Sequence, residues 1–438
     1  MKRVQNWLPY NESLLFDYSD AYFRESGKTV FSSAGKTSKD IVPNAMTNSK
    51  AHARSFANFV KDSLENHPQG EKFRVLEIGS GAGVFARNFL ICAREMNFLD
   101  RIEYLVTEYS RVGLEQIKES EILKDFEENS NYRFVHLDIL NPQNTQDLSG
   151  KPFKLENLSA TVLNYILCVL PLTVLRMSKG DKLQQMHLRF KQAEDCKEDS
   201  AYLKHLSYDE DWKGYLINNE SDPEKKYYNI LLQSLNNNSK KNYNYYSYGS
   251  LQALDNILNC SNDNAFIFIA EMPDVKNSPN LYQVYGNSIA HPFNYSLYKS
   301  FVESQNIKSV FSIDNYYPLV RMYILKNPLQ DNRFINRFKK EYLEKNDSNL
   351  IIDLRHAIDQ LNSKHSITLM KNLLNRLIEI DDDSCETKLL QARYYFMQED
   401  LDQARLVFKD AEGLDYLNNL DFEASELKKI FEKSYEQA

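Results

Sequence analysis

Arg74-Val75-Leu76-Glu77-Ile78-Gly79-Ser80-Gly81-Ala82-Gly83-Val84-Phe85-Ala86 decides the fold of this chain. Three apolar residues, Val75, Leu76 and Ile78, run into a turn with glycine at 79, 81 and 83; Phe85, Phe89, Ala93 and Met96 then recur at helical spacing. Strand, tight turn and helix form the opening unit of a doubly wound parallel sheet, which places its ligand crevice at the carboxyl ends of the strands. Glycine in such a turn lets a ligand approach the backbone where a Cβ would clash. A dinucleotide turn of the form G-x-G-x-x-G requires glycine at 84, where this chain has Val84. Glu77 stands beside the turn, where a carboxylate discourages a pyrophosphate.

Working outward, Ile102–Glu108 reads as a second strand ending in an acid, Tyr132–Ile139 as a third carrying Asp138, and Ala160–Asn164 as a fourth. With these strands in place, Glu77–Gly83 resembles motif I of the class I S-adenosylmethionine-dependent methyltransferases. The resemblance implies a Rossmann-like seven-stranded α/β sheet and S-adenosylmethionine as cofactor. It implies that Glu108 accepts hydrogen bonds from the ribose hydroxyls, that Asp138 reads the adenine amino group, and that Ile139 lies against the ring. Glu77, Gly79, Ser80, Gly81, Gly83, Tyr109 and Asn164 complete the implied cofactor site, and no metal is expected.

After the fourth strand comes Asn164-Tyr165-Ile166-Leu167-Cys168-Val169-Leu170-Pro171, placed where methyl group and acceptor would meet. It resembles the S-N-E-x-x-D-A-L-P run of the MidA-like subgroup, matching at Asn164, Leu170 and Pro171. Tyr165 and Cys168 replace the two acids that would hold a guanidinium, so the resemblance does not carry arginine methylation over to this chain. Asn164 and Tyr165 are the expected acceptor-side residues, and His291, in the turn-rich loop after the fifth strand, is the candidate general base.

The 438 residues suffice for two or three domains. A net charge of −8, 26% charged residues, a mean hydropathy of −0.55 and a pI near 5.6 leave no electrostatic footprint for nucleic acid or an anionic membrane. Cys92, Cys168, Cys196, Cys260 and Cys385 are odd in number and scattered, which reads as reduced thiols rather than disulfides or a zinc site. No apolar run approaches the ~18 residues of a spanning helix, and no signal-peptide core follows the first residues. The expected compartment is the cytoplasm.

The expected organisation is a helical and loop region over 1–70, a catalytic domain over 71–327 and a helical tail over 328–438. The first region holds a helix around Tyr18, Tyr22 and Phe23, a polar loop at 31–39, and a helix from Asn48 to Leu64, which the resemblance implies folds over the cofactor with its preceding loop, the alternative being a plain packing appendage. Residues 172–264 delay the fifth strand, Ala265–Ala270, and read as a large insertion or cap with helices at 181–193 and 226–235 and an Asn/Tyr-rich run at 236–248. Tyr295–Glu303 reads as a helix, and Val310–Ile313 and Leu319–Leu325 as a terminal hairpin. In the tail, Cys385–Asn418 fits one 34-residue tetratricopeptide-like unit, with Ala392, Tyr395, Ala404, Phe408 and Ala411 at the nesting positions. Ile351–Ser384 is a degenerate copy, with Ile358, Leu361, Met370, Leu374 and Leu377 at those offsets, and 423–435 reads as a capping helix. The tail is expected to be a separable module that docks a protein substrate or partner. The functional expectation is a methyltransferase acting on a protein acceptor, with N-methylation favoured. The alternatives are a small-molecule O- or N-methyltransferase and a catalytically degenerate scaffold.

Overall fold

The computed structural model describes residues 2–27, 46–129, 131–178, 182–192, 202–215, 223–237, 243–272, 281–313, 320–326, 331–345, 347–361 and 366–415. The expected loop at 31–39, Cys196, the centre of the Asn/Tyr-rich run and the expected capping helix at 423–435 lie outside these residues.

After two short strand segments, Lys2–Arg3 and Leu8–Pro9, come helix α1 (Leu14–Ser26) and helix α2 (Lys50–Leu64). Strand β1 (Phe73–Ile78), α3 (Val84–Glu95), β2 (Ile102–Glu108), α4 (Arg111–Glu119) and β3 (Tyr132–His136) follow in alternation. A short β4 (Gln146–Asp147) precedes β5 (Leu158–Asn164). Next come β6 (Thr173–Met177), β7 (Leu183–Gln192), β8 (Leu206–Gly214), α5 (Tyr228–Asn237) and β9 (Asn244–Tyr246). Helix α6 (Tyr248–Cys260) leads into β10 (Ser261–Glu271), the small hairpin β11 (Gln283–Tyr285) and β12 (Ser288–Ala290), and α7 (Tyr295–Ser304). The hairpin β13 (Lys308–Ile313) and β14 (Val320–Leu325) closes the main sheet. Helices α8 (Asp331–Lys339), α9 (Asp347–Asp359), α10 (Ile367–Ile380), α11 (Cys385–Met397) and α12 (Leu401–Gly413) end the described chain.

The main sheet runs β13-β14-β10-β5-β1-β2-β3-β4. Strands β3, β2, β1, β5 and β10 are parallel, and β14 is reversed between β10 and β13. The sheet thus has eight strands where the sequence predicts seven; the addition is β4, an antiparallel edge partner of β3. Strand order reverses direction between β1 and β5, which creates the crevice at their carboxyl ends. Side-chain alternation explains why both faces are covered. In β10, Phe266, Phe268 and Ala270 join α2 and α3 in one apolar cluster, while Ile267 and Ile269 join α6 and α7 in another.

A second, wholly antiparallel sheet fills much of the expected insertion. Strand β7 is its hub, pairing with β6, β8 and the chain's own start at Lys2–Arg3 and Leu8–Pro9. The helix expected at 181–193 is therefore a strand. Met186, Leu188 and Phe190 alternate with polar residues, a period of two that buries one face against Tyr10, Leu15 and Val174. The helix expected at 226–235 is present as α5.

The C-terminal helices are not set apart from the sheet. Phe334, Phe338 and Tyr342 belong to the same apolar cluster as α2, and Phe59 stacks on Phe334 and Tyr342 at 6.2 and 6.3 Å. Arg337 grips Asp62 through two hydrogen bonds of 2.7 and 2.9 Å. The boundary expected at 327/328 thus runs through a continuous core. Beyond it, α9 and α10 enclose Ile358, Met370, Leu374 and Leu377, and α11 and α12 enclose Ala392, Ala404, Phe408 and Ala411. No helix among the described residues is long and apolar enough to cross a membrane.

Candidate functional site

A cavity of about 410 Å³ lies at the carboxyl ends of β1, β2, β3 and β5, within the size range of small-molecule sites. Its floor is the glycine turn after β1. Gly79, Gly81 and Gly83 all have positive φ (68°, 63° and 80°), a region costly for residues with a Cβ. A Cβ at Gly83 would meet Ile117 Cγ2 at 2.8 Å, so glycine there also permits close packing of the helix behind the turn. The turn is held by β2: Ser80 N–H donates to Thr107 O at 2.8 Å, Thr107 N–H to Ser80 Oγ at 3.1 Å, and Thr107 Oγ1 to Glu77 O at 2.5 Å.

Two acids sit behind and beside this turn. Glu77 is 3% exposed, accepts from the Tyr104 hydroxyl at 3.0 Å, and is raised by burial to a pKa of about 7. Glu108, at the end of β2, accepts from Gly81 N–H and is likewise raised by desolvation to about 7. Both titrate near neutrality because the cavity walls withhold water from the charged form. Past β3, Asp138 and Ile139 line the cavity from a loop; Asp138 accepts from Leu140 N–H at 3.0 Å and Asn141 Nδ2 at 2.8 Å. Tyr109 lines it with its hydroxyl donating to Asp20 at 2.7 Å.

Strand β5 delivers Asn164 and Tyr165 to the same cavity. Asn164 Oδ1 lies 3.1 Å from His52 Nε2, so that nitrogen carries the proton and the Asn164 amide nitrogen is left as a donor for the cavity. Tyr165 has φ +57°, a left-handed conformation costing roughly 1–2 kcal/mol in a residue with a side chain. The next turn is pinned firmly enough to hold it. The fully buried Glu271 accepts from Leu167 N–H at 2.6 Å, Ser250 Oγ donates to Leu167 O at 2.8 Å, and Tyr165 N–H donates to Ala270 O at 2.9 Å. Burial raises Glu271 to a pKa of about 8, so its neutral form prevails at neutral pH.

His291 is not where the sequence expectation puts it. Ser288 and Ala290 of β12 line the cavity, but His291 is 1% exposed and packs among Tyr10, Phe16, Tyr245 and Tyr282. Its Nδ1–H donates to Cys168 O at 3.2 Å and its Nε2 accepts from the Tyr10 hydroxyl at 2.7 Å. Burial lowers its pKa to about 4, and both ring nitrogens are engaged. It positions the Cys168 turn and is no general base for this cavity.

The sequence did not mark α1 as a wall, yet Phe16, Asp17, Ser19, Asp20 and Phe23 line the cavity. An amphipathic helix ahead of the first core strand carries no local sign of which site it will cover. His52 was missed for the same reason, being an isolated histidine on α2 until β5 is packed beside it. Among the described lining residues the acidic groups are Asp17, Asp20, Glu77, Glu108 and Asp138, with no lysine, arginine or histidine, and Asp20 pairs at 2.9 Å with Arg24 beside the lining. Such a cavity attracts a cation or a hydroxyl-rich ligand and repels a phosphate. Among the described residues, no group of three or more His, Cys, Asp or Glu could hold a metal.

No protein-family model and no curated protein matches this chain. Solved structures do resemble it in part. One is a superfamily member from Burkholderia thailandensis bound to S-adenosyl-homocysteine, with 12% identity over 73% of this chain and 88% of that chain and a TM-score of 0.49. Another is an uncharacterized superfamily protein from Burkholderia thailandensis, with 10% identity over 85% and 83% of the two chains and a TM-score of 0.46. A third is the CurJ carbon methyltransferase, at 10% identity over 63% and 54% and a TM-score of 0.35.

Proposed function

We propose that this chain is an S-adenosylmethionine-dependent methyltransferase whose cofactor occupies the cavity at the ends of β1, β2, β3 and β5. The observation that carries the reading is the acidic lining of that cavity. Five carboxyl groups, of which Glu77 and Glu108 titrate near 7, and no basic group among its described lining residues suit a sulfonium and ribose hydroxyls, and oppose the pyrophosphate of a dinucleotide. The bound cofactor would supply an electrophilic methyl group. The chain's residues do the rest by binding and orientation. Gly79 and Gly81 let the ligand reach the backbone, Glu108 accepts hydrogen bonds from the ribose hydroxyls, Asp138 and Ile139 hold the base, and Asn164 and Tyr165 face the acceptor side. Class I methyltransferases resemble this sheet in strand order, with the reversed β14 beside β10, and the tail would be a tetratricopeptide-like module.

The acceptor we favour is an amine nitrogen of a protein. His291 is unable to activate a hydroxyl, whereas Asp17 at the cavity wall attracts an ammonium, which reacts as the neutral amine once it has lost a proton to solvent; Asp20 is already paired with Arg24. Methyl transfer then relies on holding the nucleophile in line with the methyl carbon and excluding water. Calorimetry tests the cofactor: S-adenosylmethionine or S-adenosyl-homocysteine should bind, and NAD should not. Labelled cofactor incubated with a cell lysate tests the acceptor; label in small molecules alone rejects a protein acceptor.

A further inference from the structure

Three consecutive acids, Asp381, Asp382 and Asp383, join α10 to α11. The first faces inward. Asp381 is 1% exposed and accepts from Arg355 at 2.6 Å and from Ser384 and Thr387 at 2.8 Å, so it shapes the loop itself. The next two reach the cavity's supporting helices. Asp382 lies 3.0 Å from the ammonium of Lys50, the first residue of α2, and Asp383 lies 2.6 Å from the guanidinium of Arg87, in the first turn of α3.

These contacts differ from ordinary surface ion pairs, which contribute little. The side chains of Lys50 and Arg87 are 5% and 13% exposed, so removing an acid takes a close anionic partner from a cation that water reaches poorly. Burial pulls the Lys50 ammonium down, and Glu95 and Asp382 more than offset it. Both helices carry the cavity at their N-terminal ends. Ahead of α2, Thr47 and Asn48 line the cavity, and one turn in, His52 holds Asn164. Ahead of α3 lies the glycine turn, and Asn88 of α3 donates to Asn48 O at 2.8 Å, tying the two walls together.

We infer that Asp382 and Asp383 are positioning residues for the cavity, forming a clamp through which the C-terminal helices set the placement of both walls. The identity of the ligand affected rests on the cofactor reading above; the mechanical coupling does not. The test uses the full-length chain without ligand and reads hydrogen exchange at the amides of 47–53 and 80–88. Arg87→Asp and Asp383→Arg should each speed exchange there by at least about tenfold, the loss of one charged hydrogen bond. Strand β7 should be unaffected. Combining the two substitutions restores opposite charges and should return exchange to within about twofold of the parent. Asp383→Asn, which removes a charge without adding one, gives the same reading if either reversal unfolds the chain. Affinity for S-adenosyl-homocysteine should follow the same order. Unchanged protection in the single variants, or no rescue in the double, overturns the clamp. A parent chain that binds neither cofactor form while the exchange pattern holds overturns the cofactor assignment and leaves the clamp standing.

Discussion

Cofactor binding should release a proton, because Glu108 is raised to about 7 in the ligand-free protein and must be ionised to accept from two hydroxyls and face a sulfonium. The sign follows from linkage. A ligand that binds the ionised form lowers the group's pKa on binding, so affinity rises with pH until the free group is fully ionised. For one carboxylate of pKa about 7, roughly 1 molecule in 100 is ionised at pH 5 and about nine in ten at pH 8. The dissociation constant for S-adenosylmethionine should therefore fall about a hundredfold between those pH values, levelling off above 8. Glu77 deprotonating in the same step would steepen the slope. Calorimetry at pH 7 in two buffers of different ionisation heat should register about half a proton released per site. Glu108→Gln keeps an acceptor for Gly81 N–H, so the turn persists, yet it should flatten the profile and weaken binding by at least about tenfold at pH 8. A flat pH profile in the parent, with equal heats in both buffers, would refute the reasoning.

Further outcomes concern stability and the acceptor side. Glu77→Gln should raise the melting temperature at pH 8 and leave it nearly unchanged at pH 4, since a raised carboxyl stabilises below its unfolded pKa and loses that contribution as pH rises through about 7; the gap from 4.5 corresponds to about 3 kcal/mol. His291→Leu strands the Tyr10 hydroxyl and removes a donor from Cys168 O, so it should cost about 2–4 kcal/mol in denaturant unfolding while turnover per folded molecule survives. Abolished turnover with intact stability would return His291 to the chemistry. Tyr165→Phe and Asn164→Ala should lower turnover more than cofactor affinity; unchanged turnover with a confirmed acceptor places that acceptor elsewhere. A chain ending at residue 327 should be poorly soluble and bind cofactor weakly, because Phe334, Phe338 and Tyr342, each contributing about 2 kcal/mol of burial, would leave α2 uncovered. Soluble, full-affinity protein would show the tail to be separable.

What could be read from the chain alone was whatever depends on neighbours in sequence. The glycines at 79, 81 and 83, the acids at 77 and 108 and the alternating apolar runs specify strand, turn and helix locally, because φ above zero and two-sided burial are properties of single residues and short periods. The reversed terminal hairpin followed from the same local pattern, and β5 begins only two residues before its predicted start. The helix expected at 181–193 failed where an alternation of three buried residues was too short to outweigh its polar surroundings, and only the partner strands β6 and β8 made it a strand. His291 shows the other limit. Its sequence neighbours allow a catalytic or a buried histidine equally, and the choice rests on Tyr10 and Cys168, which are far off in the chain and meet it only in the fold. The α1 wall, the His52–Asn164 contact and the Asp382 and Asp383 clamp are of this second kind. They depend on the distance between side chains that the sequence separates and that only packing brings together.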